Sequence, residues 1–279
     1  MISLSCPQES ANEVYLACAD HTREPILRAA LKTESLRVTE RSAVYLSKAI
    51  VGELYSMTPG HGRCVSNAQL ADLYERVLVK GGERATYEKL KSLARLGRCP
   101  LCAQRDVKTL DHYLPRAAFP EFSVMPANLV PSCTDCNKAK LAHVAKSYEQ
   151  QSFHPYFDNW SEVILLKATP RITDRVDVVF SIQPQGVPTP HWINRAELHF
   201  QLLGLGNLYR QHAAVELVQC KDEFRDSYYA NGPLALKEDL QAKEKSRSKP
   251  FLNAWQPALY RGLSETEEFY HGGFEKIEE

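Results

Sequence analysis

The sequence predicts an α+β protein, mainly helical, built around a small zinc-clamped core with flanking helices and a small β element. Three observations carry this. Apolar residues recur at helical spacing from about Arg23 to Leu96 and again from Ile193 to about Tyr228. Two Cys-x-x-Cys pairs, at Cys99/Cys102 and Cys133/Cys136, fall in a stretch with no sustained period. Two runs rich in Val, Ile and Phe, Val163–Ala168 and Arg175–Gln183, alternate in part as strands do.

From Arg23 to Met57 the apolar positions Ile26, Leu27, Ala30, Leu31, Val44, Tyr45, Ala49, Ile50 and Leu54 predict amphipathic helices. Thr58-Pro59-Gly60-His61-Gly62 interrupts them, and Ser66 is placed to cap a helix over Ala68–Val79. Gly81-Gly82 separates this from a further helix over Glu83–Leu96. Residues 1–96 thus read as a helical N-terminal region, 97–146 as the chemical core, and 147–279 as an α+β C-terminal region, mostly helical. In the last, Gln183–Pro190 reads as a loop, Leu198, Leu202, Leu205, Leu208, Val215 and Leu217 as the apolar side of one or two helices, and Ser246–Pro250 as a break. The chain shows no internal repeat.

Composition bounds the function. The 279 residues carry 34 Lys and Arg against 34 Asp and Glu, so a charged partner must be met by a local patch rather than by the whole surface. No apolar run approaches the roughly 18 to 20 residues that span a bilayer, and the N-terminus lacks a basic segment followed by an apolar stretch, so the expected compartment is the cytosol. Eight cysteines are too few for a disulfide scaffold, and in a reducing compartment clustered ones are expected to bind metal.

A Cys-x-x-Cys turn presents two thiolates on one side of a tight loop, and two such turns make the tetrahedral sulfur cage that zinc favours. Cys99, Cys102, Cys133 and Cys136 are therefore the expected structural zinc ligands. A redox reading of Cys99-Pro-Leu-Cys102 alone leaves the second pair without a role and lacks the surrounding βαβ pattern. Cys6, Cys18, Cys64 and Cys220 have no partner spacing and are expected to be buried or free thiols.

Between the pairs stand Asp111-His112 followed by Pro115-Arg116, then Asn128 in Asn-Leu-Val-Pro, then Cys136-Asn137-Lys138-Ala139-Lys140. These elements, in this order over about 45 residues, resemble the HNH endonuclease family, whose metal-bound ββα core is often clamped by two zinc knuckles. The chain reads as an HNN variant, because Asn137 stands at the third signature position where many members have His. The nearest histidine, His143, is expected to point elsewhere.

The resemblance implies a metal-dependent endonuclease that cuts or nicks DNA, leaving 5′-phosphate and 3′-hydroxyl ends. The chemistry asks for the same residue types. A histidine of near-neutral pKa suits proton abstraction from water, so His112, at the end of a short strand over Val107–Leu110, is the expected general base. Asp111 and Asn137 offer hard oxygens for a catalytic Mg²⁺ or Mn²⁺. Adjacent strand residues face opposite sides, so a kink or strand end is needed if both are to serve one site. Asn128 is implied to tie the loop and to hold the ring of His112. Ser132 and Asp135 form an S-x-x-D pattern that would open the helix of the core at the second cysteine pair.

Twelve bases against six acids give Lys80–Lys146 a charge of +6, with Arg116, Lys138 and Lys140 nearest the expected catalytic groups and the expected DNA contacts. Lys89, Lys91 and Arg95 suit a solvated helix face equally well. The last 16 residues carry −5 and read as a solvated end, a docking segment or a guard competing for the basic groove. His154-Pro-Tyr-Phe-Asp158 is expected to pack the zinc unit rather than to catalyse.

Free-standing HNH proteins of this size resemble nuclease components of bacterial anti-phage defence modules, with an ATPase or sensor subunit as partner; homing and restriction enzymes are the alternatives. The competing reading is a zinc-stabilised nucleic-acid-binding or scaffold subunit with an inactive nuclease core.

Overall fold

The computed structural model describes residues 1–160, 163–186 and 190–278. Its chain divides into two compact units, one of Ser3–Leu101 with Arg105–Asn159, the other of Trp160–Glu279 with Met1–Ile2 and Cys102–Gln104.

In the first unit, α1 (Ala11–Asp20) is capped by the Ser10 side chain, which accepts from the Glu13 N–H. No element was expected here, although Ser10-x-x-Glu13 carries the pattern of a helix start. α2 (Pro25–Ile50) has Pro at its first turn, where no intrahelical N–H is required, and buries Leu31, Glu34, Val38, Ser42, Tyr45 and Ala49 at three- and four-residue spacing. Ile26, Val44 and Ile50, counted on its apolar side from sequence, face solvent instead. α3 (Asn67–Leu73) begins at a reciprocal capping box between Ser66 and Gln69, as the sequence led one to expect. It passes without a break into a π-helical turn, Tyr74–Val79, and α4 (Arg84–Ser92) follows.

β1 (Thr109–His112) and β2 (Leu129–Ser132) pair antiparallel, Asp111 opposite Val130 and His112 opposite Leu129. α5 (Thr134–Lys140) follows β2 directly. Its N-cap is Cys133, whose Sγ accepts from the Cys136 N–H at 3.3 Å, while the Ser132 hydroxyl donates to the Cys133 carbonyl. The expected cap at Ser132 is therefore displaced by one residue, because the cysteine that begins the second knuckle also occupies the cap. Leu110 and Leu129 enter one core with Val14, Leu31, Leu70, Tyr74 and Leu90, so one face of the β pair is seated on the helical layer.

In the second unit, β3 (Ile164–Ile172) and β4 (Val176–Gln185) form an antiparallel pair with an irregularity between Ile164 and Leu166. Gln183–Gln185 continue β4 where a loop was expected; residues 187–189 of that loop lie outside the described residues. α6 (Pro190–Leu202) and α7 (Leu205–Asn231) are two helices, separated where Gly204 takes φ +61°. α8 (Pro233–Ser248), α9 (Trp255–Glu265) and α10 (Glu267–Tyr270) complete the unit. α9 lies so close to β3 that a Cβ on Gly262 would stand 2.4 Å from the Ala168 carbonyl oxygen.

The acidic end is anchored by its apolar residues, while Glu265, Glu267, Glu268 and Glu278 stay exposed. Phe269, Phe274 and Ile277 are buried, Arg225 pairs with Glu275 at 2.7 Å, and Lys221 Nζ donates to the Ile277 carbonyl at 2.7 Å. Glu279 lies outside the described residues. Among the described residues no helix is long and apolar enough to cross a membrane.

Candidate metal centre and candidate active site

Cys99, Cys102, Cys133 and Cys136 are buried, and their four sulfurs lie within 4.8 Å of one another. A zinc ion at about 2.3 Å from each sulfur of a tetrahedron places them about 3.8 Å apart, so this cluster needs only a small contraction to close on zinc. The first knuckle is shaped by the Cys99 N–H donating to the Arg105 carbonyl at 2.8 Å and by Ala103 at φ +54°. The four thiols are thus grouped as a structural metal such as zinc requires and could hold one.

Cys133 follows the residue paired with Thr109, at the start of β1; the Asp-His pair stands at the other end of that strand, both residues buried. Strand alternation separates them. Asp111 faces α5, where the Lys140 ammonium lies 2.9 Å from its Oδ2. His112 faces the helical layer, its ring 4.5 Å from that of Tyr74 at 68°. The β1–β2 register runs without a break, and of the kink or strand end that a shared site needs, the structure has the strand end: His112 is the last residue of β1, and a site served by both must straddle it.

His112 Nε2 lies 2.8 Å from the Ser123 carbonyl oxygen. A carbonyl only accepts, so Nε2 carries the proton and Nδ1 presents its lone pair. Burial pushes the imidazolium down to about 3, against the Ser123 carbonyl, with the charges of Arg116 and Lys140 adding to the descent. The ring is therefore neutral at pH 7 but, at about 3, a weaker proton acceptor than the near-neutral imidazole that the sequence leads one to expect. Burial raises the Asp111 carboxyl above its ordinary value, and the Lys140 charge and hydrogen bond oppose that rise.

Asn128 does tie the loop: its side-chain oxygen accepts from the Leu114 N–H at 2.8 Å, and its Nδ2 donates to the carbonyls of Leu114 and Phe122 at 3.0 and 3.2 Å. It does not bond the ring of His112; that contact belongs to Ser123, which neither the spacing nor the resemblance singled out. Asn137 is half-buried on α5, one turn before Lys140, and its side chain has no hydrogen bond among the described residues. His143 lies beyond the end of α5 and contacts the Gln150 carbonyl at 2.8 Å, away from the pair. His154 is packed among Tyr45, Tyr113 and Phe157.

Lys140 is corrected. Its side chain is 4% exposed, and Nζ is taken up by Asp111 and by the His112 carbonyl at 2.6 Å, so it is no surface contact for a phosphate. Its place in Cys136-Asn137-x-x-Lys140 is the signal, since a lysine three residues after Asn137 lies on the same helix face. Much of the +6 segment is likewise engaged: Lys89 pairs with Glu9, Lys91 with Glu88, Arg98 with Asp106 and Arg105 with Asp135. Arg116 and Lys138 have no carboxylate partner among the described residues; Lys138 is exposed, and the Arg116 guanidinium lies 5.3 Å from the centre of the Tyr74 ring.

The chain is similar to Protein ea31 of Escherichia phage lambda, with 27% identity over 301 aligned positions that cover 98% of this chain and 100% of that protein. No protein-family model and no solved structure matches it.

Proposed function

We propose that the chain is a metal-dependent endonuclease of HNH type that hydrolyses or nicks DNA, with His112 as the general base. The observation that carries this is the hydrogen bond from His112 Nε2 to the Ser123 carbonyl, which leaves a neutral imidazole with its Nδ1 lone pair as the acceptor for a proton from water. The order β1, β2, α5, with four buried cysteines grouped together, supports the same reading.

The donor set suits a hard divalent cation. The Asp111 carboxylate, engaged by Lys140 at Oδ2 and by the His112 backbone N–H, still offers hard oxygen lone pairs, and Asn137 adds a neutral oxygen, so Asp111 and Asn137 would hold Mg²⁺ or Mn²⁺. When bound, such a cation supplies Lewis-acid stabilisation of charge on the scissile phosphate and the leaving oxygen. Arg116 and Lys138 would take backbone phosphates, which gives binding a strong dependence on salt. The setting in bacterial anti-phage defence, with an ATPase or sensor subunit as partner, rests on the resemblance alone.

One observation favours a second reading. The Lys140 ammonium already neutralises Asp111, as in a core kept for its zinc and its surface while hydrolysis has been lost. Conversion of supercoiled plasmid separates the two. The first reading expects Mg²⁺- or Mn²⁺-dependent nicking that His112→Ala abolishes with zinc content unchanged; wild-type protein that binds DNA without hydrolysing it supports the second.

A further inference from the structure

The helical segment 67–79 lies outside the stretch that resembles the nuclease family, yet it meets His112 twice. On α3, the Leu70 carbonyl accepts from the Ser123 hydroxyl at 2.6 Å, and the carbonyl of that same Ser123 holds His112 Nε2. Four residues on, at the first position of the π-helical turn, the Tyr74 ring stands against the imidazole, while its hydroxyl donates to the Leu110 carbonyl of β1 at 3.0 Å. Both residues lie on one helix face. The wider turn closes with the Lys80 N–H on the Glu75 carbonyl, five residues back. Tyr74 also carries the half-buried Arg116 guanidinium over its ring, which leaves that cation without an acidic partner among the described residues.

We infer that Tyr74 is a positioning residue for the proposed reaction, its ring, in T-shaped contact with the His112 imidazole, fixing that imidazole in the Nε2–H tautomer and holding Arg116 beside it. This rests on His112 being the base of the proposed nuclease. The arrangement divides the labour: Ser123 selects the tautomer through a hydrogen bond, and Tyr74 denies the ring the rotation that would break that bond. The aromatic ring rather than the hydroxyl does this, so phenylalanine serves in its place.

The test compares Tyr74→Phe and Tyr74→Leu in plasmid nicking and in nitrogen-15 NMR of His112, its signals assigned with His112→Asn. Tyr74→Phe should keep wild-type kcat within about threefold and the Nε2–H tautomer. Tyr74→Leu should lose about tenfold to a hundredfold in kcat with KM within about twofold, and should show mixed tautomers, with zinc content unchanged. Unaltered kcat and tautomer in Tyr74→Leu overturn the inference. If wild-type protein does not cleave, the nuclease reading fails, while the tautomer still decides the role of Tyr74. Should Tyr74→Leu not fold, Tyr74→Met keeps the volume and removes the aromatic ring. Absence in wild-type protein of a nuclear Overhauser contact between the Tyr74 and His112 rings also overturns it.

Discussion

Lys140 Nζ and Asp111 Oδ2 form an ion pair at 2.9 Å in which the two side chains are only 4% and 6% exposed. The lysine gives a second donor to the end of β1, at the His112 carbonyl. A charge removed from such a pair leaves its partner buried and uncompensated, which costs more than the pair itself contributes. Lys140→Met should therefore destabilise the protein by about 3 kcal/mol or more at neutral pH, measured by urea denaturation. Combining it with Asp111→Asn should recover a substantial part. A Lys140→Met protein as stable as wild type would contradict the buried pair.

The second prediction concerns the sulfurs. Cys133 closes the metal cluster and also caps α5, so one substitution removes both. Purified wild-type protein should carry one zinc per chain, and Cys133→Ser none, with melting lowered by about 10 °C, the size expected for losing a few kcal/mol in a chain this long. Equal metal content in the two proteins would rule out the four-cysteine site.

Acid sensitivity should trace in part to Glu34. Burial raises its carboxyl, yet Arg37 and the backbone N–H groups of Cys64 and Arg63 outweigh that and hold it below the ordinary 4.5. A carboxyl whose folded pKa is depressed contributes stability above its unfolded pKa and loses it as pH falls through the folded value. Wild-type stability should fall steeply below about pH 4.5. Glu34→Gln should start less stable at pH 7 and fall less on acidification. Parallel pH profiles for the two proteins, followed by thermal melting, would remove Glu34 from the account.

The sequence made the long helices, the Ser66 cap and the four-cysteine cluster legible, because each depends on local spacing. What it hid depends on tertiary partners. Nothing in the spacing distinguishes Lys140, buried on Asp111, from Lys138, exposed two residues earlier, except the helix face each occupies. Asn128 was read as bonding the ring, whereas the contact fell to Ser123, whose carbonyl any residue type could supply. Backbone donors and acceptors leave no mark in the residue code. Ile26 and Ile50 were read as core because apolar periodicity does not report which stripe finds a neighbour.

The alternation at the end of β1 carries a further consequence. His112 is gripped from the helical layer and Asp111 from α5, so the two halves of the pair have different owners. Residues 97–146 excised alone would keep the cysteines, Asp111 and Lys140 but leave Leu70 and Tyr74 behind. The stretch that resembles a nuclease is then no transplantable cassette. A graft of it into another protein should carry zinc and yet leave its histidine unheld.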